Sequence, residues 1–185
     1  MWHFHAQSGR IRGLSRERWD GSLQIWQSNL ESFIEMNGHP LYPLLALGQQ
    51  AVKRYRKKIV DNAKQVQRVA WSTGYYPWVQ LSRDWDEEKP LDLGNMSVEV
   101  GQVAFALTDV SAELTLWKSW LQSGVESAGN WPGMIPNDGR DTFLQRQDEI
   151  ISAIGTTQHQ LENLLARSNQ WRDDAKTVMS VVGAH

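Results

Sequence analysis

The chain has 185 residues, of which 41% are hydrophobic and 22% are charged, and its formal net charge at pH 7 is −2. These values are typical of a globular domain with its own core, so they exclude a chain that is disordered as a whole. The chain has no cysteine, which excludes disulfides, thiolate metal sites and a cysteine nucleophile, and the near-neutral charge selects no class of partner.

Residues 1–14 are predicted to form a flexible arm, because Gly, Ser and Arg residues replace any apolar pattern there. His3 and His5 are two imidazoles without a third ligand, which is a poor metal site. No stretch has the length and hydropathy of a signal peptide or of a membrane span. We therefore expect a soluble, cytoplasmic protein, although export without a leader would leave the same sequence.

Residues 15–185 are predicted to form a single all-α domain, a bundle of four main helices. Apolar residues recur every three or four positions in four segments, which places them along one side of a helix. The predicted helices cover residues 15–37, 43–70, 96–126 and 141–172. A long connection rich in aromatic and acidic residues separates the second helix from the third.

Each predicted helix has its own core positions. In the first they are Trp19, Leu23, Trp26, Leu30 and Phe33, and in the second Val52, Tyr55, Ile59, Ala63, Val66 and Ala70. In the third, for which Asn95 or Ser97 is the expected N-cap, they are Val100, Val103, Leu107, Val110, Leu114, Trp117 and Leu121. In the fourth they are Leu144, Ile151, Ile154, Leu161 and Leu165, with the polar Gln147 and Gln158 completing the spacing. The pattern thins beyond Trp171, and the Val and Phe content of residues 98–107 would also suit a strand.

The second predicted helix is strongly basic outside its core positions. Only Asp61 is acidic there, against seven cations: Lys53, Arg54, Arg56, Lys57, Lys58, Lys64 and Arg68. At ~1.5 Å per residue the cations extend over roughly 25 Å, comparable to a row of nucleic-acid phosphates. They are candidates for binding nucleic acid or another polyanion. The alternative is a solvated surface neutralised by the acidic residues between positions 84 and 92.

Aromatic residues cluster directly after the basic helix. Tyr75, Tyr76 and Trp78 are candidates for stacking on bases, and the alternative is a hydrophobic plug under a long connection. The chain has ten Trp, more than one small core usually contains, and Trp120 is a candidate contact for a protein partner. The alternative is that most of the Trp residues belong to the core.

No phosphate loop, dinucleotide fingerprint, nucleophile elbow or zinc-ligand spacing occurs in the sequence, so no catalytic residue, cofactor or metal is predicted. We expect a non-enzymatic structural, assembly or protein-interaction protein that binds a protein partner or forms a homo-oligomer. The alternative is a nucleic-acid or polyanion-binding protein, such as a helical coat subunit, that uses the basic helix. A weaker alternative is an amphipathic coat on a lipid or granule surface.

Overall fold

The computed structural model describes residues 2–5, 10–13, 39–74, 92–131 and 140–183. Three long helices carry the fold: α1 (Tyr42–Ser72), α2 (Leu93–Ala128) and α3 (Arg140–Val182). Two short strands, β1 (Trp2–His5) and β2 (Arg10–Gly13), pair in antiparallel fashion, with Trp2 opposite Gly13 and His5 opposite Arg10. Apart from this hairpin the described fold is helical, which confirms the all-α prediction. The first predicted helix, residues 15–37, lies outside the described residues.

Helix α1 matches the second predicted helix closely. Its predicted core positions, from Val52 to Ala70, are all buried. Pro43 stands in the first turn, where a missing N–H costs nothing. Beyond the last turn, the N–H of Thr73 donates to the Val69 carbonyl at 3.0 Å, and Gly74 has a φ of 70°. This left-handed backbone favours glycine and ends the helix.

Helix α2 begins at Leu93, three residues before the predicted start. The Asp92 carboxylate is the N-cap, since its Oδ1 atom accepts a hydrogen bond from the Asn95 N–H at 3.0 Å. The expectation that Asn95 or Ser97 caps this helix is therefore wrong. The stretch from 98 to 107 is helical, so the strand alternative is also wrong. The predicted core positions are buried, except that Trp117 is half-buried.

Helix α3 extends to Val182, ten residues beyond the predicted end. The core spacing continues through this extension, because Ala175, Val178 and Val182 are buried. Several predicted core positions of α3 are displaced by one residue. The buried residues are Gln147, Ile150, Ile154, Thr157, Leu161, Leu164 and Ser168. Ile151 and Leu165 are only half-buried, as is Gln158.

The chain divides into two compact units, residues 1–53 with 116–162 and residues 54–115 with 163–185. In the first unit, α1, α2 and α3 meet at Gly48. A Cβ atom added to Gly48 would lie 3.1 Å from Leu121 Cδ2 and 3.3 Å from Thr157 Cγ2. A Cβ atom on Gly124 would collide with the Leu44 side chain. Glycine therefore allows the helices of this unit to approach closely.

In the second unit, a group of polar residues lies in the core between α2 and α3. Ser168 is fully buried, and its hydroxyl donates to the Leu107 carbonyl at 3.0 Å. The Ser111 hydroxyl lies 3.0 Å from Ser168 Oγ and 3.2 Å from Asn169 Oδ1. These contacts satisfy the buried hydroxyl of Ser168, whose burial without a partner would cost free energy.

Candidate interaction surfaces

The seven predicted cations of α1 are all described, but they do not form one surface. Successive residues of a helix are rotated by about 100°, so Lys57, Lys64 and Arg68 lie within about 40° of one another. Together with Trp71 they define the outward side of α1 in the second unit. Arg54 lies at the edge of this side, about 60° from Lys57, whereas Arg56 is rotated by about 100° from Lys57. The two remaining cations are Lys53, in the first unit, and Lys58.

Two of the cations pair with carboxylates of α2. Lys58 Nζ lies 3.7 Å from Glu113 Oε2, and the Arg68 guanidinium forms an ion pair with Glu99. The predicted partners between positions 84 and 91 lie outside the described residues. The observed carboxylates, Glu99 and Glu113, lie in the predicted third helix and are not among the predicted partners.

Tyr55 adds a second kind of contact to the basic helix. The guanidinium of Arg54 and the ammonium of Lys58 lie 5.8 and 5.5 Å from its ring centroid. These are cation–π distances. Tyr55 is itself buried, so these contacts bring the charged groups of Arg54 and Lys58 close to the helix.

The outward side of α1 remains available to solvent. Lys57 and Lys64 are exposed and form no ion pair with any residue that the structure describes. The Arg68 side chain is 68% exposed although it is paired. Trp71 is 50% exposed and follows Arg68 by three residues. The outward side therefore combines three cations with one large aromatic ring.

The predicted aromatic contacts are located only in part. Tyr75, Tyr76 and Trp78 lie outside the described residues, whereas Trp120 is 50% exposed in the first unit. The Trp120 ring packs edge-on against the ring of Trp117, with centroids 5.2 Å apart. Trp120 therefore has the exposure expected of a partner contact.

A set of exposed apolar residues on α2 is not among the residues predicted from the sequence. In the second unit, Phe105 is 69% exposed and Val98 is 59% exposed, and a spacing of seven residues places them on the same side of the helix. Met179 of α3 is 37% exposed. Its sulfur would lie 3.7 Å from a Cβ atom added to Gly101, and Gly101 lies between Val98 and Phe105 on α2. Val98, Phe105 and Met179 form the outward apolar patch of this unit.

The core residues of α2 lie on the opposite side of the helix from this patch. Leu107 follows Val98 by nine residues, a rotation of about 180°, and Leu107 is completely buried. In the first unit, Leu116 and Trp120 are 51% and 50% exposed one turn apart, whereas Leu121 is completely buried. Helix α2 therefore carries apolar residues on two sides, and the described helices cover only one of these sides. The signal in the sequence was the spacing of Val98, Phe105 and Leu116 outside the core positions.

His39 is a buried polar residue at the beginning of α1. Its Nδ1 atom accepts a hydrogen bond from the Leu41 N–H at 3.2 Å, and its ring stacks on Phe143 with centroids 4.5 Å apart. Burial lowers the pKa of His39 from 6.5 to about 4, the Arg146 charge adds to this effect and a hydrogen bond with Gln147 opposes it. By the geometric criteria for a hydrogen bond, neither His39 Nε2 nor Gln147 Oε1 has a partner among the described residues. His39 is therefore a neutral structural residue at pH 7.

Among the residues described, no three His, Cys, Asp or Glu side chains are arranged to hold a metal ion. None of the described helices has both the length and the apolar character needed to cross a bilayer. Comparison of the chain with protein-family models, with curated proteins and with solved structures finds no match.

Proposed function

We propose that the protein is a non-enzymatic assembly protein that associates with further copies of itself through the uncovered side of α2. The observation that supports this proposal is the exposure of Phe105, Val98 and Met179 in one patch. Burying a side chain the size of Phe or Val is worth about 1.5–3 kcal/mol. An exposed cluster of this kind is typical of a protein interface rather than of a solvated surface.

The charge distribution supports the same proposal. Helix α2 contains five charged side chains in 36 residues, namely Glu99, Asp109, Glu113, Lys118 and Glu126. Three of these, Glu99, Glu113 and Lys118, pair with the neighbouring helices. A helix that is apolar on more than one side is normally covered on more than one side. A second copy, packing its own α2 against the patch, provides such a cover with the symmetry that most homo-oligomers have.

The four-helix count is part of this proposal. Residues 15–37 repeat the spacing of three and four seen in the described helices, and five large apolar side chains follow it: Trp19, Leu23, Trp26, Leu30 and Phe33. A helix with this pattern needs a packing surface. We expect residues 15–37 to pack as a fourth helix.

The experiment is size-exclusion chromatography with light scattering on the wild-type protein and on the variant Phe105→Glu. The wild type is expected to elute as an oligomer, and the variant as a monomer, because a carboxylate in an apolar interface must be desolvated. The matched control is Val60→Glu, which places the same charge at a 44% exposed residue of α1 in the same unit. A wild type that stays monomeric at every concentration would refute self-association.

A second candidate function is polyanion binding by α1. The specific observation in its favour is that Lys57 and Lys64 are exposed and unpaired among the described residues, on the same side as Arg68. The light-scattering experiment also addresses this function, because co-purified nucleic acid would raise the absorbance in the nucleic-acid band over that in the protein band. The two functions are compatible in a helical coat subunit, which assembles and binds nucleic acid with different surfaces.

A further inference from the structure

Trp71 lies where the basic side of α1 ends. Helical rotation places it within about 60° of Lys57, Lys64 and Arg68, and its distance from Lys57 along the helix axis is about 21 Å. Its exposed fraction is 50%, which is unusual for a residue type that is favoured in cores. Trp71 is therefore an exposed aromatic residue at the end of a row of cations.

The cations of this row differ in their freedom to bind an anion. Lys57 and Lys64 can each give a full charge to a phosphate, since neither is paired with a described carboxylate. The Arg68 guanidinium is held by Glu99 and keeps most of its side chain exposed, so it can bridge from that carboxylate to a phosphate. Asp61, which is exposed and lies on the same side of the helix, opposes part of this charge.

The apolar content of the outward side argues against a lipid surface. An interfacial helix inserts a broad apolar face below the headgroups. On the outward side of α1, the exposed large apolar residues are Val60 and Trp71, and they are separated by 11 residues with cations between them. One aromatic ring beside a row of cations instead resembles the arrangement by which proteins bind single strands, where cations follow the phosphates and rings stack on bases.

We propose that the outward side of α1 binds single-stranded nucleic acid, with Lys57, Lys64 and Arg68 on the phosphates and Trp71 stacked on a base. This inference rests on the polyanion-binding function and adds to it the class of ligand and the stacking residue. A duplex would not satisfy the site equally well, because its bases are already stacked on one another and offer no free face to Trp71.

The test is fluorescence anisotropy with a labelled oligothymidylate long enough to span about 21 Å of helix, in a series of salt concentrations. For three phosphates neutralised, the logarithm of the affinity is expected to fall with the logarithm of the salt concentration with a slope of about −2. The double variant Lys57→Ala/Lys64→Ala is expected to reduce this slope to about −0.7. The matched control is Arg167→Ala, which removes an exposed charge from α3 in the same unit.

The stacking contact is tested separately with Trp71→Ala. This variant is expected to lose about tenfold in affinity or more while the salt slope stays unchanged, because stacking is not an ionic interaction. Gln170→Ala is the matched control, since it removes an exposed uncharged side chain from α3 in the same unit, and it is expected to bind like the wild type. Trp71→Phe is expected to retain most of the affinity, which separates loss of stacking from loss of folding.

The outcomes distinguish the inference from the function on which it rests. No salt-dependent binding to any anionic probe would refute polyanion binding itself. Equal affinity of the wild type and Trp71→Ala, or equal affinity for oligothymidylate and an abasic strand of the same length, would leave polyanion binding standing and overturn the inference. Binding to phosphatidylserine vesicles in preference to the oligonucleotide would also overturn it.

Discussion

Replacing His39 with Asn is expected to remove a pH dependence from the stability of the protein. In the native state His39 has a pKa of about 4, lowered from 6.5 by burial, so between these values the unfolded chain binds the proton and the native protein does not. The contribution of the neutral His39 ring to the free energy of unfolding is therefore complete above pH 6.5, and it decreases as the pH falls toward 4. A difference of this size corresponds to about 3 kcal/mol of unfolding free energy.

The Asn variant is chosen because its side-chain oxygen can still accept the hydrogen bond that Nδ1 accepts from the Leu41 N–H. The measurement is urea unfolding followed by tryptophan fluorescence, for both proteins, at several pH values between neutral and acid. Carboxylates titrate in both proteins, and Arg146 and Gln147 face position 39 in both, so the difference between the two curves isolates the imidazole. An equal loss of stability in the wild type and in His39→Asn would refute the reasoning.

Two further predictions concern the helices. Leu114 is 1% exposed and Leu116 is 51% exposed on the same helix. Leu114→Ala is therefore expected to reduce the free energy of unfolding by about 2–5 kcal/mol, and Leu116→Ala by less than about 1 kcal/mol. Urea unfolding of the two variants measures both values. Similar losses from both substitutions would show that the buried and exposed sides of α2 are wrongly assigned. Circular dichroism is expected to give more helix than the 31, 36 and 43 residues of α1, α2 and α3 provide, because residues 15–37 are expected to add a fourth helix. A helical content limited to the three helices would contradict the four-helix proposal.

The predicted core positions of α1 and α2 are buried, apart from the half-buried Trp117, because their apolar spacing is not interrupted. The prediction omitted further buried residues of α1, such as Leu45, Ala51 and Val69. In α3 the same approach was inaccurate for a physical reason. Adjacent apolar residues, such as Ile150 and Ile151, fit the spacing equally well, and only packing decides which one is buried. Thr157 and Ser168 are core residues with hydroxyl groups, and a hydropathy pattern counts them as surface positions.

The candidate surfaces were predictable in part. The basic character of α1 is evident from the sequence, but a list of cations does not show which of them pair with Glu99 and Glu113 of another helix. The predicted second helix ends at residue 70 because Gly74 follows closely, whereas helix α1 continues to Ser72 and includes Trp71. The spacing of core positions predicts one buried side on each helix. It therefore does not identify exposed apolar residues, such as Phe105, that lie on a second side.

The buried polar residues of α3 have a consequence for how the helices are aligned. A purely apolar core with a repeat of seven residues would be satisfied almost as well if one helix slid along another by a whole repeat. After such a slide of α3 along α2, Ser168 would lose the Leu107 carbonyl and the Ser111 hydroxyl. Each buried group without a partner would cost about 1–3 kcal/mol. The buried hydroxyl of Ser168 therefore favours one alignment of α2 and α3 in the second unit over misaligned packings of the same helices.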